Sequence, residues 1–332
     1  MKLQAKNIIG QVRLATGLIL FAYLLSHFLN HALGLISLDA MELGRRPFLG
    51  LWRNPIGTIA LYGALLIHMG LALWSLYRRR SLRMPAWEST QLLLGLMIPP
   101  LLAIHIIGTR IAAEFFGAED NYAYTLLAIW VFDPIGGLQQ AIVLVVAWLH
   151  GCIGLHFWLR LKPWYAGTLP FGYATALLVP ILGLLGFAAG GREVALLAED
   201  PDWMAATSAI VRFPDAATLE FLYDLEHGFW AAFAALLAGT LAARGLRQWL
   251  IGQRAIAISY PDDRRVEVQP GTTILEASRM AGIPHASVCG GRGRCSTCRV
   301  RISSGIEKLP PASEAELKVL RRVGAAPNVR LA

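Results

Sequence analysis

Charge is what this sequence has least of. Asp, Glu, Lys and Arg make up 16% of its 332 residues, against roughly 25% in ordinary soluble domains. Hydrophobic residues make up 55%, and mean hydropathy is positive. A soluble fold with that balance would expose apolar surface and aggregate, so a lipid-facing surface is expected. Cysteine is scarce too: there are four. Cys152 stands alone in an apolar run and reads as packing, whereas Cys289, Cys295 and Cys298 crowd together, a ligand pattern rather than a disulfide framework. Also missing are a catalytic triad, a P-loop, a dinucleotide fingerprint, low-complexity tracts and any repeat of 20–50 residues. Redox transfer is the chemistry that the remaining residues support, and no nucleic-acid partner is expected. The first apolar run, Leu14 to Leu38, is too long for a signal-peptide core and has no A-x-A site after it, so it reads as a membrane span.

What is present divides near residue 250. Residues 1–250 are expected to form a membrane all-α six-helix bundle, and 251–332 a small α+β domain. A bilayer core about 30 Å thick needs roughly 20 apolar helical residues. Six segments qualify, at about 13–37, 56–77, 90–113, 137–160, 170–190 and 220–243. Trp52, Trp74, Trp87, Trp130, Trp158, Trp164 and Trp249 fall near their ends, as interfacial aromatics do. Basic residues gather at the N-terminus (Lys2, Lys6, Arg13), in the second loop (Arg78, Arg79, Arg80, Arg83), in the fourth (Arg160, Lys162) and after the sixth segment (Arg244, Arg247, Arg254). The third loop is acidic (Glu114, Glu119, Asp120, Asp133), and so is most of the fifth (Glu193, Glu199, Asp200, Asp202, Asp215). The positive-inside rule then puts both ends in the cytoplasm. The first loop, with Arg45, Arg46 and Arg53, runs against it.

Seven of the eight histidines lie in or beside these segments: His27, His31, His68, His105, His150, His156 and His227. Ionisable side chains in lipid are costly and usually functional. Depth organises them. His68 lies ten residues before Arg78, and His150 ten before Arg160, so both sit about 15 Å from the same edge at 1.5 Å per residue. His27 and His105 fall in the outer half of their helices. Two imidazoles facing each other across a bundle make the bis-histidine axial ligation that holds a b-type haem. Two layers imply two haems, with His27 paired to His105 and His68 to His150. His31, one turn beyond His27, is an alternative outer ligand. His156 reads as a partner for a haem propionate or a quinone, and His227 has no assigned role. Tetrahedral zinc would need its ligands grouped closely rather than layered.

Thr16-Gly17 followed by His27, and His150-Gly-Cys-Ile-Gly154-Leu-His156, resemble the ligand helices of the succinate dehydrogenase and fumarate reductase cytochrome b anchors. That resemblance covers roughly residues 10–160 and implies the same pairs, together with quinone chemistry. The last two segments and a fused C-terminal module depart from those subunits.

From Arg254 onward the pattern changes to short alternating strands. Residues 255–260 and 265–269 form a hairpin around Pro261-Asp-Asp-Arg264. A helix is expected over 274–281, capped by Thr272 or Thr273. Another is expected over 313–322, capped at Ser313 with Glu316 three residues later. Strands are expected over 299–302 and 328–332. Between them lies Cys289-Gly-Gly-Arg-Gly-Arg-Cys295-Ser-Thr-Cys298. Glycines between cysteines let a loop wrap a cluster and aim backbone N–H groups at its sulfurs. The spacing resembles that of adrenodoxin and plant-type [2Fe–2S] ferredoxins, which implies a β-grasp fold and a [2Fe–2S] cluster on Cys289, Cys295 and Cys298. A plant-type cluster takes four thiolates, so a fourth cysteine is expected just past Ala332. A zinc site completed by His285 is the alternative. Arg292, Arg294, Arg299 and Arg301 make the loop basic, suited to anionic lipid or an acidic partner.

The whole arrangement is similar to the membrane anchors of bacterial class III adenylate cyclases. That similarity implies a six-pass protein of the bacterial inner membrane, a homodimer, and a redox-sensing role for an attached cyclase domain. A stand-alone quinol-linked oxidoreductase is the competing expectation, and a structural membrane protein without redox centres a third.

Overall fold

The computed structural model describes residues 2–79, 81–82, 84–252, 255–261 and 263–332; the side chains of 2–7, 251 and 252 are not described. Arg80, Arg83, Arg254 and Asp262 lie outside the described residues, as do the side chains of Lys2 and Lys6. The chain is mostly helical, with a small strand-containing module at its C-terminal end. The long helices are α1 (Lys2–Ala32), α3 (Pro55–Arg78), α4 (Ala86–Ile106), α7 (Pro134–Leu159), α8 (Tyr165–Leu197) and α10 (Ala216–Gly252). Shorter ones connect them: α2 (Leu38–Trp52), α5 (Ala112–Phe116), α6 (Tyr122–Leu126) and α9 (Pro201–Val211). Among the described residues, six spans are long and apolar enough to cross a membrane: Ile8–Leu35, Pro55–Arg78, Ala86–Phe116, Pro134–Leu159, Tyr165–Leu197 and Ala216–Leu250. They outrun the segments expected from hydropathy. The reason is physical: a backbone group unpaired near lipid is costly, so helical hydrogen bonding continues past the apolar stretch.

Their outer faces are apolar. Ile56 and Ile135 are about four-fifths exposed, and Phe171, Leu177 and Leu66 are exposed as well. In water such a surface would drive association; against acyl chains it is at home.

Two compact units are present. The first comprises Ile9–Leu73 and Ala86–Gly239. Its inner cluster joins Phe28 of α1, Leu144 and Trp148 of α7 and Val179 of α8. Trp148 stacks on Phe21 and donates its indole N–H to the Ala176 carbonyl at 2.8 Å. Small residues bring α1 and α8 together: Gly34 lies against the Gly186 backbone, and Gly186 against the His31 carbonyl. A second cluster gathers Met41, Tyr122, Leu126, Leu127, Phe187 and Val194. Caps set the helix starts. Ser37, Asn121, Asp133 and Asp200 each accept a backbone N–H at an N-terminus, and Pro134 and Pro201 open α7 and α9, where a missing N–H costs nothing.

Two arginines of the first loop are ion-paired. Arg45 reaches Glu42 at 2.6 Å, Glu119 at 3.3 Å and Asp120 at 3.7 Å, and Arg53 forks onto both Asp120 oxygens. Asp120 itself is buried. Arg45 and Arg53 are thus ion-paired to carboxylates of the first and third loops, which ties the two loops together.

The second unit comprises Met1–Ile8, Trp74–Pro85 and Thr240–Ala332. Arg244, Arg247 and Gln248 all donate to the Arg79 carbonyl beyond the end of α3, at 3.0–3.4 Å. Gln269 donates to the Gln248 carbonyl at 3.1 Å. In the module, β1 (Ile256–Ser259) pairs antiparallel with β2 (Arg265–Val268), and β3 (Arg299–Arg301) with β4 (Val329–Leu331). Among the described residues these form two two-stranded ribbons, in keeping with the small strand-containing module expected. α11 (Ile274–Met280) opens on a Thr273–Glu276 capping box, and α12 (Glu314–Arg322) on Ser313.

Candidate functional site

The structure brings the helix histidines together in two groups. His68 of α3 and His150 of α7 face each other with ring centres 6.2 Å apart and planes nearly perpendicular. Metal–imidazole bonds of about 2 Å put the centres of two axial rings roughly 6 Å apart, so the spacing fits an iron between them. Their outward nitrogens are already engaged. His150 Nδ1 lies 2.9 Å from the Gln91 carbonyl of α4, so that nitrogen carries the proton. His68 Nδ1 lies 3.2 Å from Thr16 Oγ1 of α1. The Thr16 hydroxyl proton is directed to the Val12 and Arg13 carbonyls at 2.9 and 3.1 Å, which leaves its oxygen to accept from His68. Both rings are therefore held as Nδ1–H tautomers with Nε2 free, as a metal-ligating imidazole is when its other nitrogen donates to an oxygen acceptor.

Two glycines make room for those rings. A Cβ at Gly17 would lie 3.2 Å from His68 Cε1, and one at Gly95 would lie 2.7 Å from His150 Cε1. α1 and α4 can approach the histidines because these positions lack side chains.

The outer group is looser. His27 and His105 have ring centres 5.9 Å apart, and His27 and His31 4.4 Å apart. His27 is stacked on Tyr23 and packed against Phe48, and His31 is stacked on Phe187. The Nδ1 atoms of His27 and His31 are buried without a hydrogen-bond partner among the described residues. Buried polar atoms are ordinarily satisfied, so these nitrogens suit a ligand that takes them. His27 and His31 are both close enough to share the outer role. Directly after His105 the helix widens into a π-turn, Ile107–Ile111, where the Thr109 hydroxyl donates to the His105 carbonyl; such turns recur at functional sites.

The remaining histidines lie apart. His156 Nδ1 is 2.9 Å from the Tyr165 hydroxyl. His227 is exposed and edge-on to Trp230. His285 Nδ1 is 2.9 Å from Ser278 Oγ, in a chain that continues to Tyr260. Among the described residues, no three His, Cys, Asp or Glu side chains close on a point that would hold one metal ion.

The cysteine loop is shaped by Gly290, Gly291 and Gly293, all at positive φ of 65–80°, a conformation that other residues rarely adopt. Cys289 and Cys298 are buried and Cys295 half-buried. Burial pushes the Cys289 thiol up. N–H groups of Arg294, Cys295 and Arg292, together with the Cys295 thiol, outweigh it and bring the pKa down to about 7. For Cys298, burial prevails and the pKa is raised. The Thr297 hydroxyl accepts the Val288 N–H at 3.0 Å and lies 3.1 Å from Cys295 Sγ, within reach to donate to that sulfur when it is a thiolate. N–H and O–H groups converging on cysteine sulfurs are what an iron–sulfur cluster needs, so the loop fits the group. Thr16, Gly95, Gln91, Tyr165 and Thr297 join the site without having been assigned a role there. Their roles come from side-chain and backbone proximity across the fold, and only Thr16 and Thr297 stood in motifs singled out beforehand.

Comparison with known proteins supports this reading of the module. Residues 259–325 match the family of 2Fe-2S iron-sulfur cluster binding domains. The C-terminal module is an iron–sulfur domain of the [2Fe–2S] ferredoxin class, and the match lies wholly within it. Among curated proteins, the chain is 43% identical over 54 residues to a subunit of the Na(+)-translocating NADH-quinone reductase of Idiomarina loihiensis, covering 16% of this chain and 13% of that protein. It is 33% identical over 72 residues to a 2Fe-2S ferredoxin of Pseudomonas aeruginosa, covering 21% of this chain and 64% of that one. The 2Fe-2S ferredoxin of Escherichia coli is 35% identical over 72 residues, with 65% of its length covered. The chain thus spans a small part of the reductase subunit and under two thirds of these ferredoxins. No solved structure matches it.

Proposed function

We propose that the protein is a membrane-bound haem b/[2Fe–2S] redox protein that exchanges electrons with a quinone and serves as a redox-sensing regulatory anchor. His68 and His150 are the axial ligands of one haem. His105 and His27, or His31 in its place, are those of the second, and Cys289, Cys295 and Cys298 ligate the [2Fe–2S] cluster. The observation that carries the haem reading is the His68–His150 pair: ring centres 6.2 Å apart, with both Nδ1 atoms tied to oxygen acceptors. Bound haems would supply one-electron carriers at two depths. The chain's own residues orient the rings and exclude water. The regulatory use, on a class III adenylate cyclase working as a homodimer, rests on the architectural resemblance. The second reading is a stand-alone quinol-linked oxidoreductase. It draws on the similarity of the module to part of the Na(+)-translocating NADH-quinone reductases.

The test is a reduced-minus-oxidised optical spectrum of purified protein, with haem counted per chain, on wild type and His150→Ala. Two b-type haems are expected in wild type and one in the variant. Wild type without haem, after haem-replete expression, would leave a membrane-anchored ferredoxin with structural histidines.

A further inference from the structure

We infer that His156, Arg160 and Tyr165 form a quinone headgroup site where α7 ends and α8 begins. The inference rests on the quinone-linked reading above and gives it a place. His156 lies in the last turn of α7, and Arg160 caps that helix one turn on, its backbone N–H donating to the His156 carbonyl at 3.0 Å, so the two share a face. Tyr165 is the first residue of α8. The three therefore stand at the shared boundary of two membrane-crossing spans, where the polar head of a lipid-soluble molecule lies and its tail enters the apolar layer.

Three observations define the site. His156 Nδ1 and the Tyr165 hydroxyl are 2.9 Å apart. Arg160 Nε is buried and has no hydrogen-bond partner among the described residues. The Arg160 guanidinium lies over the Phe157 ring at 4.8 Å, and Trp164 meets Tyr165 edge-on. The site thus combines an N–H donor awaiting an acceptor, a hydroxyl–imidazole pair, and aromatic walls for a flat ring.

The hydroxyl–imidazole pair selects the ligand class. When Tyr165 donates to Nδ1, His156 presents an N–H at Nε2. When Nδ1 carries the proton and donates to Tyr165, Nε2 presents a lone pair and the tyrosine O–H is released. The two states are the two neutral tautomers of His156: Nε2 gives up its proton, Nδ1 gains one, and the tyrosine keeps its own O–H and turns it outward, so the same pair presents either a donor or an acceptor at Nε2. A quinone carbonyl accepts and a quinol hydroxyl donates, so this ligand uses both states. A lipid phosphate or a haem propionate is always an acceptor and needs only the first.

The experiment uses the full chain in nanodiscs of neutral phosphatidylcholine, titrated calorimetrically with decylubiquinone, with haem counted in parallel. The variants are Tyr165→Phe, which keeps the ring, and His156→Gln, which keeps a donor and an acceptor but cannot shift a proton between them. Saturable binding near one per chain is expected, weakened tenfold or more in both variants with haem content unchanged. Equal affinity in wild type and both variants, or no binding in wild type, would overturn the site. So would haem loss in the variants, which would assign these groups to a propionate. Displacement of decylubiquinone by added phosphatidylglycerol would assign them to a lipid phosphate. Absence of haem from wild type would sink the redox reading independently, because quinone binding is scored on its own signal.

Discussion

At the scale of single residues, most of the chemistry lies in what stands behind the histidines. Gly95 is one such position. A valine there puts a Cβ 2.7 Å from His150 Cε1 and 3.0 Å from Nδ1, closer than packed atoms tolerate, so the imidazole must leave its place against α4. Gly95→Val is expected to remove one of the two proposed haems and leave the other, read as haem per chain. Gly63→Ala, where an added Cβ meets nothing within 4 Å, should retain both. If Gly95→Val binds haem like wild type, His150 is not an axial ligand. In the module the decisive residue is Glu316. Burial raises its pKa, but the Arg330 fork at 2.7 and 3.1 Å and the N–H groups of Leu331 and Ser313 win, and the net shift is downward. A depressed folded pKa stabilises the module above the carboxyl's ordinary pKa of 4.5, and that contribution fades as pH falls through the folded value. Breaking a mostly buried pair on one side costs roughly 3 kcal/mol. Glu316→Ala should therefore lower the module's melting temperature at pH 7, and this deficit should shrink as wild type is acidified below pH 4.5. Cluster absorbance followed on heating measures both, and a deficit independent of pH would refute the ion-pair account.

At the scale of elements, close helix approach depends on residues without side chains. Gly186 of α8 lies against the His31 carbonyl and the Ala32 backbone of α1. Gly186→Leu should push the two helices apart, lower the melting temperature of the detergent-solubilised protein, and disturb the outer group around His31 before the inner pair. Haem counts and spectra separate the two groups, and loss of the inner haem first would contradict that order. The six long helices were legible in the sequence because their signal is length plus apolarity, and both are local. The module's elements were legible because Thr273, Ser313 and the Pro261 turn announce them locally as well. α2 was not, since its stretch carries Pro47 and four charged residues between Leu38 and Trp52, a pattern without a long apolar run. The π-turn after His105 leaves no sequence signature either. The histidine pairs were expected from depth along each helix. Their partners on neighbouring helices follow from side-chain geometry, which spacing along one chain does not encode.

At the scale of the whole molecule, orientation is the remaining question, and the arginines of the first loop bear on it. Counted by sequence, Arg45, Arg46 and Arg53 oppose the positive-inside pattern. In the structure, two of them are held by Glu42, Glu119 and Asp120. The positive-inside rule counts Lys and Arg rather than net charge, so pairing does not take these arginines out of the count; a cytoplasmic side for both ends and the iron–sulfur module is the expectation set by the other basic stretches. Reporter fusions check this directly. Alkaline phosphatase joined after Asp120 or Asp202 should be active, and after Arg79 or Ala332 inactive, with green fluorescent protein giving the reverse pattern. Asp120→Asn removes the buried carboxylate that the half-buried Arg53 forks onto. It should destabilise the first loop by roughly 2 kcal/mol, the size of a hydrogen bond to a charged group, seen as faster proteolysis between Leu38 and Trp52. Phosphatase activity after Ala332 would put the module on the far side of the membrane from any cytoplasmic electron partner. The haem assignments would survive that result, but the link between a bilayer quinone and a cytoplasmic iron–sulfur centre would not.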